Sequence, residues 1–68
     1  MSASDDSTRR YEAALRRLPD AHSLALRLSD AGVAEDVICQ YLRIEPEGLA
    51  GVLDIAHQKL AAELERLG

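Results

Sequence analysis

The sequence has few of the residues that metal-binding and nucleic-acid-stacking proteins rely on. It contains one cysteine, Cys39, so it can form neither an internal disulfide nor a cysteine-based zinc site. It has no tryptophan or phenylalanine, and its aromatic residues are Tyr11 and Tyr41, both at the spacing of a helical core. A base-stacking surface usually carries more aromatic residues than this. We expect Cys39, which follows two apolar residues, to be a small buried core residue.

Long hydrophobic runs are also absent. No stretch approaches the roughly 18 apolar residues that span a bilayer, and residues 1–8 carry Asp5 and Asp6 rather than the basic and apolar segments of a signal peptide. These absences predict a cytoplasmic protein without a membrane partner. The 68 residues allow one small domain whose core is too small for a large enzyme pocket. We therefore expect neither enzymatic activity nor a cofactor.

Basic charge is scarce. Eight lysine and arginine residues against twelve aspartate and glutamate residues give a net charge of −4. Residues 1–20 are neutral overall because the arginines within residues 9–17 balance four acidic residues. The whole excess of acidic residues therefore lies in residues 21–68. Domains that bind nucleic acid usually carry an excess of basic residues. The acidic charge therefore disfavours DNA as a partner.

Apolar residues recur at intervals of three and four, which is typical of helices. Pro19 and Gly32 separate the periodic segments, since proline interrupts a helix and glycine commonly ends one. The predicted helices cover residues 8–18, 20–31, 34–42 and 46–66. No segment shows the alternation of a strand. The sequence predicts an all-α domain of four helices over residues 8–68, after a flexible tail over residues 1–7.

The third and fourth predicted helices are joined by a very short turn, which is the layout of a helix-turn-helix. Cys39 provides the small residue that the motif needs where its two helices cross. Arg43 occupies the turn position that usually holds glycine, and Leu49 provides the apolar residue six positions later. The positions expected to be buried are Ile38, Leu42, Leu49 and Leu53.

These residues belong to a longer stretch that resembles the fourth conserved region of bacterial sigma factors. The similarity is ungapped from Gly32 to Leu60 and covers residues 18–64. It includes Leu18-Pro19, Leu24 to Leu28, Ala31-Gly32-Val33, Asp36 to Cys39, Leu42-Arg43-Ile44, Leu49, Leu53, Ala56 and Lys59-Leu60. The resemblance implies a helix-turn-helix domain that takes part in transcription. In the family, this region reads a promoter element in the major groove and contacts RNA polymerase.

The positions that the resemblance turns toward DNA carry the wrong charge for that role. The candidate DNA-facing residues are Glu45, Glu47, Ala50, Gly51 and Asp54. Three of them are acidic and none is basic, whereas affinity for DNA depends mainly on neutralising phosphates. The DNA-reading face is therefore degenerate by this interpretation. The alternative is a sequence-specific DNA-binding regulator, acting as a dimer, in which a carboxylate accepts a hydrogen bond from a cytosine amino group.

A neighbouring side of the fourth helix is apolar. It carries Gly48, Gly51, Val52, Ile55 and Ala62. Either the first helix covers this side through Tyr11 and Leu15, or the side is an interface, because contiguous exposed apolar surface usually marks one. The candidate protein interface consists of Gly51, Val52 and Ile55 on the fourth helix and of Arg16 and Arg17 on the first helix.

The leading interpretation is a transcription-associated module that acts mainly through protein contacts, with RNA polymerase, another transcription factor or itself as partner. An acidic four-helix chain is also similar to acyl carrier proteins. That family attaches its prosthetic group at an Asp-Ser-Leu motif, whereas Ser23 is preceded here by His22. The two histidines, His22 and His57, lack cysteine or carboxylate neighbours at metal-ligand spacing, so we expect no metal site.

Overall fold

Most of the described part of the chain is helical. The computed structural model describes the backbone of residues 3–67 and the side chains of residues 6–67. The helices are α1 (Ala3–Arg16), α2 (Asp20–Asp30), α3 (Glu35–Leu42) and α4 (Leu49–Leu67), and a 3₁₀ turn, Pro46–Gly48, precedes α4. No strand occurs within residues 3–67. The prediction of an all-α chain with four helices is therefore confirmed.

The starts of α1 and α4 differ most from the sequence-based expectation, and the other boundaries differ by up to two residues. Helix α1 begins at Ala3 rather than at residue 8, so residues 3–7 belong to the helix. Asp6 lies at the end of the first turn, where negative charge favours a helix. Residues 1 and 2 lie outside the described residues, and the flexibility of the tail stays a prediction. At the other boundary, Pro46–Gly48 form a 3₁₀ turn, a common start for an α-helix.

Helix α4 joins two hydrophobic clusters. In the first cluster, α1 and α2 pack against α4 through Ala14, Leu15, Leu18, Leu26, Ala56 and Leu60. In the second cluster, α3 packs against the start of α4 through Ile38, Cys39 and Leu49. The burial of Cys39 confirms the expectation from its apolar neighbours. Leu53 packs against both clusters, so α4 connects the two ends of a molecule that measures 40 × 21 × 15 Å.

Helices α2 and α3 end in the same way. Each is followed by a residue in the left-handed region, Gly32 with φ of 79° and Arg43 with φ of 57°. The next residue, Val33 or Ile44, donates its backbone N–H to a carbonyl five residues earlier, at 3.1 Å in both cases. This is the Schellman motif. Val33 and Ile44 then pack against the second cluster, so the two turns fix α3 between α2 and α4.

Polar side chains hold α1 against α2. Nη1 of Arg27 donates to both carboxylate oxygens of Glu12, at 2.9 and 3.0 Å, and its Nε donates to Oγ of Ser23 at 3.3 Å. The hydroxyl of Tyr11 donates to Asp30. Partial burial, and then this hydrogen bond to a carboxylate, raise the pKa of Tyr11 to about 12. The first cluster is therefore closed by side chains that link the two helices.

Candidate protein-interaction surface on α4

Helix α4 has a covered side and a side that nothing packs against. Leu49, Ala56 and Leu60 point into the clusters and are buried. A rotation of about 100° per residue places a second set of side chains on the far side of the helix. This set, together with Gly48 of the preceding 3₁₀ turn, forms what we call the bare face: Gly48, Gly51, Ile55 and Ala62, all of which are exposed. Ile55 keeps 47% of its surface accessible, so a large apolar side chain lies at the middle of the bare face.

Helix α1 leaves the bare face uncovered. Leu15 is 1% exposed and, with Tyr11, packs into the first cluster on the other side of α4. A Cβ atom built on Gly48 or on Gly51 would meet no heavy atom within 4 Å. Of the two alternatives for this side, the structure therefore does not show the one in which α1 covers it. The two glycines are also not required by close packing within the chain itself.

The candidate interface residues lie in two groups along α4. Gly51 and Ile55 belong to the bare face, and the partly buried Val52 lies at its border. Arg16, the last residue of α1, and Arg17, the residue after it, are exposed. Nε of Arg17 lies 2.9 Å from Oε2 of Glu63, which places this arginine beside the C-terminal half of α4. Glu63 follows Ile55 by eight residues, or about 12 Å along the helix, so the arginines lie beyond one end of the bare face.

The opposite end of the molecule is acidic. The five candidate DNA-facing residues, Glu45, Glu47, Ala50, Gly51 and Asp54, are all exposed. Residues 31–54 contain five acidic residues and one basic residue, Arg43, which gives a net charge of −4. We call the five carboxylates the acidic end: Glu35, Asp36, Glu45, Glu47 and Asp54. None of them forms an ion pair with a side chain among residues 6–67. This end repels phosphates and attracts basic groups.

Basic residues lie in the C-terminal half of α4, on the same side of the helix as the bare face. Lys59 and Arg66 come four and eleven residues after Ile55, and both are exposed. On an ideal helix they lie about 40° and about 20° from Ile55 around the axis. Nη1 of Arg66 is 4.0 Å from Oε1 of Glu63, a loose contact on the same helix. We call Arg16, Arg17, Lys59 and Arg66 the basic end. The bare face thus runs from an acidic end to a basic end, and the basic end also carries the carboxylates of Glu63 and Glu65.

Tyr41 is not a core residue. It is 66% exposed, and with Val37 and Gln40 it lines an open groove of about 420 Å³. Its spacing fits a helix face, but the buried face of α3 is the one set by Ile38 and Cys39. The expectation of core spacing is therefore wrong for Tyr41, whereas Tyr11 packs against the first cluster. A short helix offers two faces with the same periodicity, and only the packing selects one.

Comparison with known proteins adds no relative. No protein-family model, no curated protein and no solved structure matches the chain. Within residues 3–67, no helix has both the length and the hydrophobicity needed to cross a membrane. Among the same residues, no three or more histidine, cysteine, aspartate or glutamate side chains form a group that could hold a metal ion. The surface of α4 is therefore the feature on which a functional proposal can rest.

Proposed function

We propose that this chain is a transcription-associated helix-turn-helix module that acts mainly through protein-protein contacts. Its partner is RNA polymerase, another transcription factor or a second copy of the chain. The observation that carries the proposal is the bare face of α4, an apolar helix face with Ile55 at its middle that the rest of the fold leaves open. Burial of the exposed part of Ile55 against a partner contributes on the order of 1 kcal/mol.

The arrangement of α3 and α4 supports the helix-turn-helix part of the proposal. Cys39 is buried with Leu49 in the second cluster, at the point where the two helices come together. Arg43 adopts the left-handed conformation at the position where the motif usually has glycine. The resemblance to region four of sigma factors depends on these same residues. A degenerate turn residue that keeps the required backbone conformation fits a domain derived from that family.

The charge of α4 supports a protein partner over a DNA partner. A recognition helix presents its N-terminal residues to the bases, and here those residues are Glu45, Glu47 and Asp54. A helix with uncompensated carboxylates at this end has no group that could neutralise phosphate there. The nearest basic residues of α4, Lys59 and Arg66, lie toward its C-terminal end. DNA reading is therefore the alternative that the experiment must exclude.

The test measures binding of the fluorescently labelled chain to purified components by anisotropy. The components are bacterial RNA polymerase core enzyme, a free sigma factor and a pool of duplex DNA. Two variants are compared, Ile55→Glu on the bare face and Ala61→Glu on an exposed position about 120° away around α4. Both place one carboxylate at an exposed position of the same helix, so their comparison tests whether the face that carries it matters.

We expect saturable binding to a protein component, weakened at least about tenfold by Ile55→Glu and little changed by Ala61→Glu. A labelled chain that self-associates, and does so through Ile55, also supports a protein-contact role. Retention on DNA at about 50 mM salt that is lost at about 200 mM salt would show phosphate binding and would overturn the proposal. Absence of any protein complex, including self-association, would overturn it as well.

A further inference from the structure

We infer that the bare face of α4 docks a helix of a partner protein, and that this partner helix carries a row of lysine or arginine residues along one side. The inference rests on the proposed function, since it states the chemistry of the partner that the same surface binds. It depends on how the charged residues of α4 are distributed around the helix axis. The two sides of the bare face differ in the sign of their charge.

One side of the bare face is bordered by carboxylates. On an ideal helix, Asp54 and Glu65 lie about 100° and about 80° from Ile55, in the direction opposite to Lys59. Glu47, in the 3₁₀ turn, precedes Asp54 by seven residues, an interval that returns to the same side of a helix. We call these three exposed residues the acidic flank: Glu47, Asp54 and Glu65. None of them forms an ion pair with a side chain among residues 6–67.

The other side of the bare face carries basic groups. Lys59 and Arg66 lie there, about 40° and about 20° from Ile55. Glu63 also belongs to this side, but its Oε2 lies 2.9 Å from Nε of Arg17, so its charge is compensated within the chain. The carboxylates that remain open to a partner along α4 therefore lie on the acidic flank.

The length of the acidic flank determines what kind of partner can match it. From Glu47 to Glu65 it covers eighteen residue steps, or about 27 Å along the helix axis. A partner must therefore run along α4 to reach both ends. Basic residues at intervals of seven and eleven lie on one side of a helix, so they can face all three carboxylates together. Exposed ion pairs are individually weak, but complementary charges fix orientation and reject partners of the wrong sign.

The shape of the bare face admits a helix. Gly48 and Gly51 have no side chain, and a Cβ atom built on either would meet no heavy atom within 4 Å. Ala62 adds only a methyl group. Glycine lets a second backbone approach closely, and Ile55, with 47% of its surface accessible, provides an apolar contact at the centre.

The same charges disfavour a second copy of the chain as the occupant. In an antiparallel pair of α4 helices, each side of the bare face meets the same side of the other copy, so the two acidic flanks repel each other. In a parallel pair, Asp54 meets Lys59 of the other copy, but Glu47 meets the uncharged Val52. A helix with a continuous basic row matches the acidic flank along its whole length.

The first experiment measures binding of designed helical peptides to the labelled chain by fluorescence anisotropy. Each peptide has about 21 residues, enough to span the acidic flank. The lysine peptide has a leucine stripe with a row of lysines beside it, and the glutamate peptide has glutamate in place of every lysine. A scrambled lysine peptide keeps the composition but lacks the stripe. We expect micromolar binding of the lysine peptide and at least about tenfold weaker binding of the other two.

The second experiment reverses the charge of the acidic flank. One variant combines Asp54→Lys with Glu65→Lys. The matched control combines Glu35→Lys with Asp36→Lys at the start of α3, so that both variants have the same net charge. We expect the first variant to bind the lysine peptide at least about fivefold more weakly than the control does, and to bind the glutamate peptide more tightly than the wild type does. Circular dichroism verifies that both variants keep their helix content.

The gain of affinity for the glutamate peptide is the decisive result, because a variant that had merely unfolded would bind neither peptide. Four results would overturn the inference: no binding of the lysine peptide up to about 1 mM, equal binding of the lysine and glutamate peptides, equal binding of the scrambled peptide, and equal weakening by the two double variants. A chain that sediments as a dimer through Ile55 would assign the bare face to a second copy and would also overturn it.

Failure here is distinguishable from failure of the proposed function. If RNA polymerase or a sigma factor binds through Ile55 and the reversal of Asp54 and Glu65 leaves that affinity unchanged, the basic helix is removed as the partner. The protein-contact role of the bare face is then kept.

Discussion

The buried residues of the first hydrophobic cluster come from α1, α2 and α4 and from the α1–α2 connection, whereas those of the second come from α3 and the start of α4. The two clusters also differ in the charged residues that surround them. Every ion pair among residues 6–67 lies beside the first cluster, linking α1 to α2, α1 to α4, or two positions of α4. The second cluster is bordered by the five carboxylates of the acidic end. The comparison separates a part of the molecule that contains the ion pairs between described residues from a part whose carboxylates are open to a partner.

The same division runs along α4. Its buried leucines hold the two clusters together, and its bare face begins at the 3₁₀ turn beside the second cluster. A protein of this length has a total stability on the order of 3–5 kcal/mol, so each buried leucine or isoleucine is a large share of it. Residues of the bare face contribute little to that stability and are free to serve an interface. Four predictions test this division, beginning with the largest expected effect.

Truncation of one core residue in either cluster should unfold much of the protein. Leu15 in the first cluster and Ile38 in the second are each 1% exposed, and replacement of either by alanine costs about 3 kcal/mol through lost burial and the cavity left behind. Because Leu53 links the clusters, we expect both variants to lower the midpoint of one common transition. Urea denaturation followed by circular dichroism measures this.

Ile55→Ala is the control for these two variants. It removes the same kind of side chain from the bare face, and we expect a loss of less than about 1 kcal/mol, measured on monomeric protein, because much of Ile55 is already in water. A loss as large as that of Ile38→Ala would show that the bare face is covered within the chain. A second transition in Ile38→Ala would show instead that the two clusters unfold separately.

The two Schellman turns can be compared directly, because the residue in the left-handed conformation is Gly32 in one turn and Arg43 in the other. Arg43→Gly relieves a left-handed arginine and should raise the free energy of unfolding by about 0.5–1 kcal/mol. Gly32→Ala makes the opposite change at the end of α2 and should lower it by about 1 kcal/mol. Thermal and urea denaturation measure both. If the two substitutions changed the free energy of unfolding in the same direction, the assignment of both turns as Schellman motifs would be contradicted.

These turns also show how far sequence reasoning reaches. The four helices and the turn at Gly32 follow from apolar spacing and from the conformational freedom of glycine. The left-handed conformation of Arg43 could be suspected only from the motif, because its residue type disfavours that conformation. The bare face was one of two open possibilities, since periodicity identifies which residues share a face but not which helix covers it. The exposed Tyr41 was misplaced for the same reason.

Periodicity could not predict the ion pair and the hydrogen bond that link α1 to α2 beside the first cluster. Arg27 and Glu12 are fifteen residues apart, and Tyr11 and Asp30 are nineteen apart. Their meeting depends on how α1 crosses α2, which the short Leu18-Pro19 connection constrains without fixing. The sequence alone gives the positions of the acidic and basic residues along the chain. Their arrangement as two ends of one bare face required the packing of α1 on the other side of α4.

Gly51→Ala tests whether the bare face is open in the monomer. A Cβ atom at this position would meet nothing within 4 Å, and alanine is a better helix former than glycine by about 0.5–1 kcal/mol. We expect the free energy of unfolding to rise by about that amount, measured by urea denaturation at a concentration where the chain is monomeric. A fall in stability would reveal a close contact at Gly51 and would contradict the comparison of the two sides of α4.

The smallest expected effect is a difference in pH dependence beside the first cluster. The folded chain holds Tyr11 with a pKa of about 12, above the ordinary value of 10.0. The unfolded chain therefore loses this proton at lower pH, so the contribution of Tyr11 is complete below pH 10 and disappears as the pH rises to 12. Tyr11→Phe removes that dependence, and we expect its stability to fall less steeply over this interval than that of the wild type.

Tyr41→Phe serves as the matched control, since it removes the other tyrosine hydroxyl, which lies on the exposed side of α3 and makes no hydrogen bond to Asp30. Urea denaturation at intervals from pH 9 to pH 12 compares the three proteins. Parallel curves for the wild type and Tyr11→Phe would mean that the link from α1 to α2 does not hold the neutral hydroxyl. The pair of Arg27 and Glu12 would then be the link between α1 and α2 beside the first cluster. The surroundings of the two clusters would differ in their ion pairs but not in this hydrogen bond.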